Sequence, residues 1–150
     1  MSIPEELFIH FGTLLVGGLG IAVALHNQTR QLKAQTYIEY SRRFEELLRL
    51  FPAEAWLANR NPSRPLPPPD REITACTLHC IQFVADVYYM HESGYISRRL
   101  WKLCEREMGR TLKGPLFRRE WSVIADDFAH DPELFAYLST LIGADSPITQ

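Results

Sequence analysis

The chain reads as all-α: an N-terminal transmembrane helix runs into a long juxtamembrane helix, and a small cytoplasmic helical bundle follows. Three observations predict this. A run of 19 residues, Leu7–Leu25, holds no Asp, Glu, Lys or Arg. From Leu32 to Phe51 the apolar residues recur near the helical period. Beyond that, cap and stop residues punctuate the chain at helix-length intervals, and no segment alternates as a strand would.

Composition sets the outer bounds. The chain has 150 residues, 16 basic against 18 acidic side chains, a net charge of −2 and 46% hydrophobic residues. That is one domain's worth of chain, and too ordered a composition for a disordered protein. The charge balance gives no reason to expect nucleic acid as a partner. Three cysteines are too few, and odd in number, for a disulfide scaffold.

The charge-free run explains the first element. At about 1.5 Å per residue it reaches roughly 28 Å, close to a bilayer core of about 30 Å. A buried core helix would keep a polar stripe; here the polar side chains are His10 and Thr13, and His10 falls near the outer headgroup region. Ala22-Val23-Ala24 resembles a cleavage site, but the segment before the run carries Glu5 and Glu6 and no base, the wrong charge for a signal peptide. An uncleaved anchor is expected. Arg30, Lys33, Arg42 and Arg43 follow it, so the positive-inside rule places the N-terminus outside and the larger C-terminal part in the cytoplasm, at the inner membrane of a bacterial cell. The expected division is residues 1–26 as anchor and 27–150 as cytoplasmic helical domain. Asn27-Gln28-Thr29 matches a glycosylation sequon, read here as a chance match beside the cytoplasmic face.

Within the run, Gly18 with Ala22, Gly20 with Ala24 and Thr13 with Gly17 stand four residues apart. Small residues at that spacing let helices approach closely in lipid, which predicts self-association. Tyr37, Tyr40 and Phe44 extend the expected assembly face along the juxtamembrane helix. Ile21 to Phe51 is free of Pro and Gly, so span and juxtamembrane helix form one continuous element. Pro52 marks a first turn, and Ala53 to Arg60 makes a short helix around Trp56. Residues 61–69 carry five prolines and form a stiff loop. Asp70 caps a helix to about Ser93, stopped by Gly94. Ser97 caps the next, to about Arg110. Gly114-Pro115 opens another, to about His130. Asp131-Pro132-Glu133 opens the last, which Gly143 stops after Ile142.

Charge is segregated. Ile96–Ala125 holds eight bases and three acids, and Asp126–Gln150 holds five acids and no base. Compensation between the two segments is the preferred expectation. The alternative is a basic surface of Arg98, Arg99, Lys102, Arg106, Arg110, Lys113, Arg118 and Arg119 that touches anionic lipid or RNA.

Chemistry has thin support. Cys76, His79 and Cys80 share a helix side and Cys104 is the candidate fourth zinc ligand, yet no Cys-x-x-Cys pair is present and core cysteines explain the spacing. Asp126, Asp127, His130 and Asp131 suggest a metal-dependent hydrolase only in isolation, since Asp131 is already a helix cap. No phosphate loop, nucleophile elbow or zincin motif occurs. No enzyme activity, cofactor or metal is expected.

Gln28-Thr29-Arg30-Gln31 with Ala34 and Gln35, Tyr40 with Arg43-Phe44, Gly94-Tyr95-Ile96 before Leu100-Trp101, Pro115-Leu116-Phe117-Arg118 with Trp121, and Pro132-Glu133-Leu134-Phe135 form a layout. It resembles bacterial single-pass membrane-anchored helical proteins classed as domains of unknown function. The resemblance implies fold and placement, and no catalytic residue or substrate. The expected function is a non-enzymatic interaction or scaffold protein that contacts the bilayer, self-associates as a homo-oligomer or binds a cytoplasmic protein. The rivals are an oligomeric membrane-permeabilising effector of the phage-defence type and a membrane-tethered metal-dependent hydrolase or nuclease.

Overall fold

The computed structural model describes the backbone of residues 5–144, and side chains at positions 23–24, 26–28, 31–32 and 34–144. Its described residues hold six α-helices and one 3-10 turn, with no strand among them: α1 Glu5–Arg49, α2 Ala53–Arg60, α3 Arg71–Glu92, α4 Arg98–Leu112, α5 Pro115–Ile124, the turn Ala125–Phe128, and α6 Pro132–Ile142. The all-α class is therefore correct.

Two compact units divide the chain, Met1–Glu39 and Tyr40–Gln150, with their boundary inside α1. In the first unit the side chains of Thr13, Gly17, Gly18, Gly20 and Ala22 lie outside the described residues, as does nearly all of the Leu7–Leu25 run. Among the described residues no helix is long and apolar enough to cross a membrane. Ala24 is exposed and Tyr37 half-buried.

The second unit is a helical domain built around α3. This helix buries Ile73, Cys76, Thr77, Cys80, Ile81, Val84, Ala85 and Val87. Its spacing follows the 3.6-residue period, so the buried face is wide enough to be covered from several sides. The helices α4, α5 and α6 cover it, with Leu112, Leu116, Phe117, Leu134, Leu138 and Ile142 at most 1% exposed. The last turns of α1 join this core: Phe44 is buried and stacks on Phe83 at 6.0 Å, and the Tyr40 hydroxyl donates to the Met90 sulfur. Tyr40 and Phe44, assigned by the sequence to self-assembly, make contacts inside the domain, Phe44 buried and Tyr40 half-buried.

The caps form as the residue types dictate. Asp70 accepts from Glu72 N at 3.2 Å, and Asp131 accepts from Glu133 N at 3.1 Å and Leu134 N at 3.0 Å. Gly94 and Gly143 end their helices at φ 78° and 75°, where a side chain would be strained. One boundary differs from expectation. The helix opened by Pro115 stops at Ile124 and tightens into the 3-10 turn instead of running to His130. Asp126 and Asp127 lie just there, and acids at a helix C-terminus oppose its dipole.

Two buried polar connections hold the ends of these helices. Asn59, 5% exposed, donates to the Thr111 carbonyl at 3.0 Å and accepts from Leu116 N at 3.1 Å, tying α2 to the end of α4 and the start of α5. Gly114 permits this, because a Cβ there would fall 2.0 Å from Asn59 Oδ1. Glu120, 2% exposed, accepts from Thr74 Oγ1 at 2.7 Å and from Arg119 Nε at 2.8 Å. Arg119 also donates to the Pro67 carbonyl at 2.5 Å, fastening the proline loop to α5.

Candidate functional site

The described surface has one concentrated chemical feature, the outer face of α4. At about 100° per residue, Arg98, Arg99, Lys102, Arg106, Arg110 and Lys113 fall within an arc of about 120°. All six are exposed. They run along about 22 Å of helix. Arg110 pairs with Glu107 on the same helix. Among the described residues no acid lies within ion-pair distance of the other five. Asp126, Asp127, Asp131 and Glu133 thus form no ion pair with α4, and the expected compensation between the segments does not take that form.

The start of α4 adds to the field. Ser97 accepts from Leu100 N at 3.5 Å, but no acid occupies the first turn; Arg98 and Arg99 sit there. Cations at a helix N-terminus oppose the dipole. The sequence therefore forgoes local stabilisation and gathers positive potential at that end.

The other two predicted basic residues behave differently. Arg118 donates from Nε and Nη2 to the Lys113 carbonyl at 3.1 and 2.8 Å, closing the end of α4. Arg119 pairs with Glu120 at 2.7 Å with its side chain 24% exposed. Arg119 belongs to the interior network, so it leaves the predicted surface; Arg118 is exposed and engaged in a cap.

One flank of the basic face borders a groove of about 630 Å³ between α4 and α6, lined by Lys102, Arg106, Arg110 and Lys113 on one side and Tyr137, Thr140 and Leu141 on the other. The helices approach closely at its floor, where a Cβ on Gly109 would meet Leu141 Cδ1 at 3.2 Å. The Tyr137 hydroxyl oxygen is buried there without a well-aligned hydrogen bond. Burial, with the nearby Glu105 carboxylate, pushes that phenol well above the ordinary tyrosine range.

The residues considered for catalysis or metal sit apart. Cys76 and Cys80 face the core, with Cys76 Sγ 3.6 Å from the Leu50 carbonyl, whereas His79 is exposed. Burial raises all three thiols, Cys80 up to about 12, so at neutral pH they are protonated and poorly nucleophilic. Among the described residues no group of three His, Cys, Asp or Glu side chains is placed to hold a metal ion. His130 Nδ1 contacts the Asp127 carbonyl at 3.0 Å, while Asp131 caps α6 and accepts the Tyr89 hydroxyl at 2.6 Å.

Sequence reasoning missed Asn59, Glu120 and Tyr137. Asn59 gave no local sign, since its partners lie more than fifty residues away. Glu120 carried a sign in being the acid beside Arg118-Arg119.

A scan of protein-family models, a search of curated proteins and a search of solved structures each return no match to this chain.

Proposed function

We propose that this protein is a single-pass, membrane-anchored interaction protein, non-enzymatic, that self-associates and holds a helical domain on the cytoplasmic side of the inner membrane. The observation that carries the reading is the run Leu7–Leu25, 19 residues without Asp, Glu, Lys or Arg, set between Glu5-Glu6 and Arg30-Lys33. The rest of the chain supports an interaction role. Its thiols are buried, its capping carboxylates are spent on helix ends, and one exposed helix face gathers Arg98, Arg99, Lys102, Arg106 and Arg110. The chemistry it offers outward is recognition by charge.

Small residues at four-residue spacing in the anchor support assembly through Gly18 and Gly20. Native mass spectrometry of the full-length chain in mild detergent tests this. A closed oligomer that Gly18→Leu and Gly20→Leu reduce to monomer is expected. An unchanged oligomer in both variants, or a monomer from the start, overturns assembly through this face.

A further inference from the structure

The basic face of α4 has a length, a charge and a flanking residue that together specify a ligand. Its exposed cations extend over about 22 Å, longer than one small anion requires. Five of the six have no acidic partner among the described residues, so their charge is available to solvent. Successive cations at Lys102, Arg106 and Arg110 stand four apart, where like charges repel one another. A surface of opposite charge relieves that repulsion.

Just before α4 lies Tyr95, 83% exposed. Its position is fixed by the turn that ends α3. Gly94 takes φ 78°, and the amides of Tyr95 and Ile96 donate to the Met90 carbonyl at 2.9 and 3.2 Å. Ile96 is buried and its carbonyl contacts His91 Nδ1 at 3.2 Å. The chain therefore spends a tight turn and a buried neighbour on holding an aromatic ring in solvent, three residues ahead of Arg98. Tyrosine at the rim of a basic helix suits the interface between lipid headgroups and water.

We propose that the outer face of α4, with Tyr95 at its leading end, docks on the anionic phospholipid headgroups of the membrane surface. This rests on the reading of residues 7–25 as an anchor, which keeps the leaflet at high effective concentration and makes a weak electrostatic contact sufficient. A bilayer fits better than a nucleic acid. The whole chain carries a net charge of −2, which opposes capture of a polyanion from solution, and a single exposed ring before α4 is no series of stacking platforms.

The test uses the full chain in nanodiscs of phosphatidylcholine alone and of phosphatidylcholine mixed with phosphatidylglycerol. Acylation rates of Lys102 and Lys113, both on the face, are read by mass spectrometry. The docking predicts several-fold slower labelling in the anionic discs, and recovery at high salt. Arg98→Gln, Arg99→Gln and Arg106→Gln each weaken the membrane contact by about fivefold, which removes most of the protection, and circular dichroism of each variant stays unchanged. Tyr95→Ala also weakens it. Equal labelling in both discs overturns the proposal, as does labelling that single-stranded RNA suppresses and anionic lipid does not. If the chain fails to enter discs, the anchor reading fails on its own. Co-sedimentation with phosphatidylglycerol vesicles then decides the docking, with pelleting supporting it and a soluble chain overturning it.

Discussion

Arg106 and Arg119 belong to the same basic stretch of sequence and meet opposite surroundings. Arg119 is folded against the protein, with Glu120 at 2.7 Å and the Pro67 carbonyl at 2.5 Å. Arg106 is exposed on α4 with no acid at ion-pair distance among the described residues. One cation joins a loop to the core. The other adds to the field outside. The difference comes from the partner and not from the residue type: Glu120 and the Pro67 carbonyl draw Arg119 in, although its Nη2 lacks a well-aligned hydrogen bond.

The largest expected effect breaks the interior side of this comparison. Glu120→Ala removes the carboxylate acceptor of Arg119 and Thr74, leaving them the Pro67 and Asp70 carbonyls, and is expected to cost about 1–3 kcal/mol. Arg106→Ala is expected to stay within about 0.5 kcal/mol of the native chain. Chemical denaturation of both variants measures the contrast. Equal losses would remove the distinction between the two arginines.

An effect of similar or smaller size belongs to Gly114→Ala. The added methyl group meets the Asn59 side chain, which must shift and weaken its bonds to α4 and α5. A loss of about 1–3 kcal/mol is expected, read as a lower denaturation midpoint. Stability equal to the native chain would mean that Asn59 does not bind this junction.

The smallest effect concerns an exposed pair. The Tyr89 hydroxyl holds the Asp131 carboxyl below the usual aspartate range, and Asp131 pushes Tyr89 up to about 12. The lowered acid stabilises the fold fully above its unfolded value of about 4 and loses that contribution as pH falls through the lower folded value. The raised phenol stabilises fully below about 10 and loses its contribution as pH rises toward its folded value. Asp131→Asn keeps a competent helix cap, so its melting temperature should fall slightly at neutral pH, and the gap should close in acid. A gap that persists in acid would assign the effect to packing.

The sequence made the helices legible and left their connections hidden. Asp70, Ser97, Gly94, Asp131 and Gly143 act within four residues of themselves, so their roles follow from local chemistry. Asp126 and Asp127 show the limit of that approach, since an apolar period through Phe128 conceals the change from α-helix to 3-10 turn. Arg119 and Glu120 advertise each other as neighbours, but their bonds to Pro67 and Thr74, like those of Asn59, span forty or more residues and have no local sign. The basic face was legible as composition. Its division into five exposed cations on α4 with Lys113 at its C-cap, and two engaged arginines on α5, required the fold.

The central claim is that residues 7–25 anchor this chain in a bilayer. Alkaline carbonate extraction of membranes from cells expressing the full chain tests it most directly. An anchored protein stays in the pellet and is released only by detergent, and that is the expected outcome. Complete release into the alkaline supernatant would contradict it, and would leave the basic face of α4 as a surface of a protein that membranes do not hold.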